Sequence, residues 1–385
     1  MEQIDQEKIT VIEFIGGMRE GGAESLITDY ARLIDKSRFE VIIVSVNPID
    51  QRSPYARTIK DIGGQIESIF KRFPVARSYI GQKLWNRFIH KKYVSNKLLS
   101  IIHKYNAKVV HVHLEILYFL SPISNKLNGI KIFYTCHSTP SRYFNLENRK
   151  RELLTAQKLI KNNDFRMIAL HQEMKNELDG LFHVSNTIVI HNGVDFSKFN
   201  IIEGKEEIRK KLGIPEDAFL VGHVGRFAEA KNHSFIVDVF KKVLSKCPNA
   251  FLLLVGTGPL MADTNNKLVQ NNLEGHYLIL SYRTDIPRIM KAMDVFLFPS
   301  LYEGLPVTLV EAQVSGLRCV VSDVINSESF FLPSLVSLSL KKNSTEWAEV
   351  VLDSNVSGNY HNDISVFNMN EEIKKLEKIY LGEEI

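Results

Sequence analysis

The stretch Phe298-Pro299-Ser300-Leu301-Tyr302-Glu303-Gly304-Leu305-Pro306-Val307-Thr308-Leu309-Val310-Glu311-Ala312 decides the fold. The run Asp294-Val295-Phe296-Leu297-Phe298 before it reads as a buried strand. Pro306 suits the first position of a helix, and Gly316 suits the residue just past its end. The unit is therefore strand, loop, helix. Glu303 sits in the loop at the strand's carboxyl end, and Glu311 lies one or two turns into the helix. In an open α/β sheet, ligands bind in the crevice outside those strand ends.

The same unit recurs in both directions. Upstream, Ile9–Ile15, Phe39–Val46, Gln65–Phe70, Ala107–Val112, Ile130–Cys136, Asp164–Leu170 and Asn186–Ile190 read as strands, several of them separated by helical segments such as Ala23–Ile34. After the turn cluster His191-Asn192-Gly193-Val194-Asp195 the pattern restarts. Phe219–Val224, Phe251–Val255, Tyr277–Leu280, Val295–Phe298, Cys319–Ser322 and Leu335–Leu338 are its strands. Such alternation specifies parallel sheets covered by helices on both faces. The expected division is a first domain over 1–195, a linker over 196–217, a second domain over 218–365, and a charged final helix over 366–385 that can cross back to the first domain. A chain of 385 residues is too long for one ordinary core.

The composition is that of a globular chain, with 44% hydrophobic and 24% charged residues. Cys136, Cys247 and Cys319 are widely spaced and form no CxxC pair, so a reducing, cytoplasmic setting is expected. No run of 18 apolar residues is present, and the polar stretch Met1–Thr10 does not read as a signal peptide. From Lys71 to Lys108 ten Lys and Arg residues occur without one Asp or Glu, interleaved with Leu84, Trp85, Phe88 and Ile89 at helical spacing. Two readings stand for this segment: a helix lying on an anionic membrane surface, or a helix packed on the core with a solvated basic face. No nucleic-acid module surrounds it.

Four loops that follow strands stand out, three of them bearing glycine. Gly16-Gly17-Met18-Arg19-Glu20-Gly21-Gly22 opens the first helix; it is neither GxGxxG nor a P-loop, and a tight strand-to-helix turn would account for it. Gly225-Arg226-Phe227-Ala228-Glu229-Ala230-Lys231-Asn232 places two cations at a strand end, with Asn232 as a candidate N-cap; two fixed cations beside a helix start suit a diphosphate. Gly256-Thr257-Gly258-Pro259 and Ser281-Tyr282-Arg283 follow two further strands; each suits a ligand contact or a plain turn. His137 ends a strand, which makes it a candidate site residue. His111 and His113 alternate on one strand with no third ligand at convincing spacing, so they read as structural and no metal site is expected.

Taken together, Gly21-Gly22-Ala23-Glu24, His137, Asn192-Gly193-Val194-Asp195, Gly225-Arg226 with Lys231, Gly256-Thr257-Gly258-Pro259, and Pro299-Ser300 through Glu303 to Glu311 resemble the GT4 family of retaining glycosyltransferases. They occur in family order over about residues 9 to 325. The resemblance is nearest to bacterial enzymes of exopolysaccharide, capsule or O-antigen assembly. It implies the GT-B fold, two doubly wound Rossmann-like domains facing across a cleft. It implies a nucleotide-sugar donor, a UDP-sugar, as co-substrate, with no cofactor and no metal. Arg226 and Lys231 would hold the diphosphate, Glu311 the ribose hydroxyls, and Glu303, Gly304 and Leu305 the sugar. Gly21 and Gly22 would close over the phosphates, and His137 would orient the sugar; Gly256 stays a candidate for a backbone-first contact with the donor, and Tyr282 and Arg283 for holding the base. The acceptor would be lipid-linked or a glycan, and the location cytoplasmic or peripheral on the inner membrane face.

Three positions depart from the family pattern: His171 stands where Ser is common, His191 where Pro is usual, and Ser281 where Gly is usual. A nucleotide-sugar epimerase of the same fold, or a non-catalytic scaffold of a polysaccharide assembly complex, are the competing readings.

Overall fold

A computed structural model describes residues 8–18, 21–51, 53–72, 90–145, 150–360 and 362–385. The chain divides into two compact units: Met1–Asn192 with Asn370–Ile385, and Gly193–Met369. The expected helix at Leu84–Ile89 lies outside the described residues.

The first unit is built on a seven-stranded parallel sheet ordered β3-β2-β1-β4-β5-β6-β7. Its strands are β1 (Ile9–Ile15), β2 (Phe39–Ser45), β3 (Gln65–Ser68), β4 (Val109–His113), β5 (Lys131–Thr135), β6 (Phe165–Ala169) and β7 (Ile188–Val189). β1 runs beside both β2 and β4, with Glu13 opposite His111 in the β4 register. Buried on both faces, β1 is apolar apart from Thr10 and Glu13, as a central parallel strand must be.

Helix Met369–Leu381 belongs, from Asn370 onward, to this first unit. Its buried Glu372 accepts the His191 N–H at 2.8 Å, and Glu377 accepts the Asp35 N–H at 2.7 Å. Tyr380 is buried among Phe39 and Phe133.

The described part of the basic segment contains helix His90–Lys104. Its Val94, Leu98, Leu99, Ile101 and Ile102 are buried. Lys92, Lys97 and Lys104 are exposed, and Lys104 pairs with Glu67. Over these residues the apolar face is spent on the core, and the basic face is solvated.

The second unit has a six-stranded parallel sheet ordered β10-β9-β8-β11-β12-β13. The strands are β8 (Phe219–Val224), β9 (Ala250–Val255), β10 (Tyr277–Leu280), β11 (Val295–Phe298), β12 (Arg318–Ser322) and β13 (Val336–Leu338). Alternate strand residues feed two cores, one on each face. Leu220, Phe296 and Phe298 lie on one side, and Val221, Val295 and Leu297 on the other. Residues 196–217, expected as a linker, are part of this unit. They form a short turn of helix and the helix Lys205–Leu212, with Ile208 and Ile214 buried in the core. Gly193 meets the backbone of Met369 so closely that a Cβ would lie 2.5 Å from its Cα.

Candidate functional site

Strand order reverses between β8 and β11, which makes the gap between their carboxyl ends the topological switch point of the second sheet. The loop after β8 carries Arg226 and Lys231; the loop after β11 carries Glu303. Lys231 Nζ donates to Glu303 Oε1 at 2.6 Å, and both side chains are mostly buried. The same ammonium lies 4.7 Å from the centre of the Phe298 ring. Arg226 is exposed and makes no ion pair among the described residues.

The loops are tied to one another rather than merely adjacent. Gly225 N–H donates to Val255 O, and Phe227 N–H donates to Thr257 O. Leu301 N–H donates to Ala230 O at 2.7 Å. Gly256 and Gly258 have φ of +147° and +154°, which side-chain-bearing residues rarely adopt. A Cβ at Gly256 would lie 2.1 Å from Gly225 O, and one at Gly258 2.4 Å from Phe227 O. These two glycines let the loop after β9 press on the loop after β8.

Asn232 occupies the N-cap position of helix His233–Lys246, but its side chain makes no cap hydrogen bond. It adopts the left-handed conformation (φ 54°), and its Nδ2–H donates to Pro299 O at 3.2 Å. The expected cap is instead a brace from the cation loop to the carboxylate loop. Pro306 also sits one place earlier than expected, at the N-cap of helix Val307–Val314. Gly316 takes the left-handed turn past that helix, with φ 72°.

The other expected donor residues are placed as follows. Glu311 is half-buried on helix Val307–Val314, two residues before the buried Gln313. Gln313 accepts the N–H groups of Phe331 and Leu332 and so fixes that helix. Gly304 is half-buried and Leu305 buried. Tyr282 is half-buried after β10. Arg283 is engaged in a two-pronged ion pair with Asp285 at 2.7 and 2.6 Å. Beneath the cations lies an aromatic layer that sequence reasoning passed over. His223 stacks on Phe296 and Phe298 and donates from Nδ1 to Leu297 O; His233 stacks on Phe227. Burial, with Lys231 nearby, holds both histidines below their usual range, His233 at about 4. An uncharged floor does not oppose the cations. A cavity of about 390 Å³ adjoins this layer, lined by His233, Leu260, Thr264, Lys267 and neighbours; Arg226, Lys231 and Glu303 are outside its lining.

In the first unit the switch point falls between β1 and β4. Gly21 is the N-cap of helix Gly22–Leu33, and a Cβ at Gly22 would meet no atom within 4 Å. His137 follows β5 and pairs with His113 Nδ1 at 3.1 Å. His113 and His111 are fully buried, and both belong to a cluster with Glu13. Glu13 is the residue sequence reasoning missed, although a lone acid inside a buried apolar strand was its signal. Glu13, His111 and His113 offer ligand atoms within 4.8 Å of one another. Every one of those ring nitrogens already has a hydrogen-bond partner, however: Tyr380 and Thr135 for His111, Glu13 and His137 for His113. A cation would have to break those bonds, so the cluster reads as a hydrogen-bond network. His171, the departure at the start of helix Gln172–Phe182, performs the capping job of the usual Ser: its Nδ1 accepts the Met174 N–H at 3.2 Å.

Comparison with known proteins bears on the family and the fold. The family described as Glycosyltransferase Family 4 matches residues 20–198, and that described as Glycosyl transferases group 1 matches residues 204–334. EpsF of Bacillus subtilis (strain 168), a protein bearing a glycosyltransferase name, is 29% identical over 90% of this chain and 88% of its own. An Escherichia coli protein named UDP-Gal:alpha-D-GlcNAc-diphosphoundecaprenol alpha-1,3-galactosyltransferase is 33% identical over 59% of this chain and 60% of its own. Among solved structures, Anabaena Alr3699/HepE in complex with UDP and glucose superposes with a TM-score of 0.76 at 16% identity, covering 96% of this chain and 98% of that one. WaaG, a glycosyltransferase involved in lipopolysaccharide biosynthesis, gives 0.69 at 13%, covering 97% and 100%. The two sheets, their loops and these matches make the chain a glycosyltransferase of the GT4 family, with the GT-B fold.

Proposed function

We propose that this enzyme transfers a sugar, with retention of anomeric configuration, from a UDP-sugar to a lipid-linked or glycan acceptor in the assembly of a bacterial surface polysaccharide. The observation that carries the reading is the Lys231–Glu303 pair at the β8/β11 switch point, with Arg226 exposed beside it. A leaving diphosphate needs fixed positive charge, and Arg226 and Lys231 supply it without a metal. Glu303 is held by Lys231 and accepts a sugar hydroxyl, while Glu311 accepts from the ribose. Neither carboxylate has to shuttle a proton, because the leaving phosphate oxygen can act as the base. His137 orients the sugar, and the Gly21-Gly22 turn meets the phosphates.

The nucleotide assignment is supported by names: the Escherichia coli relative is named for UDP-Gal and a diphosphoundecaprenol-linked sugar, and the Anabaena protein was solved with UDP-glucose. The Staphylococcus aureus relative CapH is named for capsular polysaccharide biosynthesis, at 24% identity over nearly the whole of both chains. Lipid contact through the basic segment 71–108 belongs to the same reading; among the described residues no helix is long and apolar enough to cross a membrane.

A thermal-shift screen of UDP-, GDP- and ADP-sugars, with EDTA present, tests the donor. A UDP-sugar should raise the melting midpoint most, by mass action. Arg226→Ala, Lys231→Ala, Glu303→Ala and Glu311→Ala should each weaken that shift. If all four bind every nucleotide sugar as the parent does, the site is wrongly placed. Donor turnover that needs no acceptor and returns an epimerised sugar would instead identify an epimerase.

A further inference from the structure

The buried cluster at the first unit's switch point joins four side chains from three elements. β1 contributes Glu13, β4 contributes His111 and His113, and helix Met369–Leu381 contributes Tyr380. Tyr380 Oη–H donates to Glu13 Oε1 at 2.9 Å, and its oxygen accepts from His111 Nδ1 at 2.6 Å. Glu13 Oε2 lies 2.7 Å from His113 Nε2, and His113 Nδ1 lies 3.1 Å from His137 Nε2. Three of these four side chains end, through His113, on His137.

We propose that Glu13, His113 and Tyr380 are positioning residues that hold His137 in one tautomer, with Nε2 carrying the proton and Nδ1 bare to accept a substrate hydroxyl. The order of protons follows from the donors and acceptors. An ionised Glu13 only accepts, so the proton between it and His113 sits on His113 Nε2. A neutral His113 then has a bare Nδ1, which must accept, and so His137 Nε2 must donate. A neutral His137 is left with its proton fixed on Nε2 and its Nδ1 unprotonated. The directions of titration agree. Burial would raise Glu13, but His111 and His113 outweigh it and hold the carboxyl well below its usual range. Burial, with His111 adjacent, lowers His113 to about 4 and keeps His137 well below its ordinary value. Among the described residues, Nδ1 of His137 has no protein partner, and the residue is half-buried rather than sealed. A bare ring nitrogen accepts from a hydroxyl; the opposite tautomer would have to donate there. Using a buried acid to fix a histidine tautomer is a known catalytic device, and the wrong tautomer costs rate without disturbing the fold. Tyr380 extends the chain to a helix 367 residues away in sequence.

This rests on the proposed role of His137 at the sugar, and the test separates the two. Nitrogen-15 histidine spectra of the full-length parent, assigned with His137→Asn, report each ring's tautomer without any substrate. His113 and His137 should both be protonated at Nε2. A parent His137 protonated at Nδ1, or an even mixture, would overturn the proposal. Glu13→Gln cannot accept from both His113 and Tyr380 with one oxygen, so His113 and His137 should become mixtures. Its kcat, on the nucleotide sugar that gives the largest thermal shift, should fall about tenfold, the scale of one hydrogen bond. The donor KM and the UDP-induced shift should stay within twofold. Tyr380→Phe should lower kcat about threefold. A folded Glu13→Gln with the parent's tautomers and kcat would sink the idea; should it not fold, the parent spectrum still decides. His137→Ala with parental turnover would remove His137 from the proposed mechanism, whatever tautomer the spectra show.

Discussion

Lys231 Nζ and Glu303 Oε1, 72 residues apart in sequence, meet at 2.6 Å across the point where the strand order of the second sheet reverses. Each is the other's counter-charge in a site that is mostly closed to water. In the proposed site, Lys231→Ala would remove a diphosphate contact and the ammonium that Glu303 now accepts from. Affinity for UDP should fall about 10- to 100-fold, the scale of a charged hydrogen bond. Glu303→Ala should cost the donor sugar more than UDP itself. The double substitution should lose less than the sum of the singles, because the pair is coupled. Calorimetric titration of UDP and of the donor into the three variants measures this; strict additivity would mean the pair is incidental.

Two glycines make opposite predictions. Gly258→Ala puts a Cβ 2.4 Å from Phe227 O at a φ of +154°, so the loop after β9 must move. Stability should fall by about 3 kcal/mol, from backbone strain and overpacking together. Gly22→Ala meets no protein atom and lies at the start of a helix. It should leave the urea midpoint unchanged or slightly raised. Its turnover should nevertheless drop, since the space it fills is the space a donor phosphate would use. A Gly22→Ala enzyme with full activity would take that turn out of the site.

Asn232 holds a left-handed backbone and braces Pro299. Asn232→Gly keeps the conformation and loses the brace; Asn232→Ala loses both. Chemical denaturation should therefore rank parent, Gly variant, Ala variant, with about 1 kcal/mol between the last two.

Acid should destabilise the protein in two stages. His113 and His233 are each lowered to about 4 in the folded state, so the unfolded chain takes up their protons first. Stability is thus full above about 6.5 and declines as pH falls from there toward 4. Glu13 is lowered as well, so its contribution is present above its usual carboxylate range and is lost only at still lower pH. His233→Phe keeps the stack on Phe227 and removes one titrating ring. Its melting midpoint should fall less between pH 6.5 and 4.5 than the parent's; equal slopes would assign the acid loss elsewhere.

Strand positions were legible because parallel strands buried on both faces are apolar runs bounded by turn residues, and β1, β8, β10 and β11 lie where those runs lie. What escaped the sequence was partnership across distance. Asn232 reads as a cap locally, yet Pro299, brought in by β11, outcompetes its own helix for the amide. Arg283 reads as free for a base until Asp285, two residues on, is seen gripping it. His111 and His113 lacked a third member only because Glu13 comes from another strand, about 100 residues earlier, and Tyr380 from a helix beyond the second sheet. Residues 196–217 look like a tether by composition, but Ile208 and Ile214 make them core.

The helix Met369–Leu381 also sets the order in which a ribosome can finish this protein. The first unit's sheet is encoded before residue 193, yet its buried Glu13 and His111 lack Tyr380 until the whole second unit has been made. At ordinary rates of translation that delay is on the order of ten seconds or more. Through that interval the nascent first unit has an uncovered polar core and an apolar face awaiting a helix. It is an incomplete domain that must be kept from sticking, and the second unit, encoded without interruption, is free to fold first.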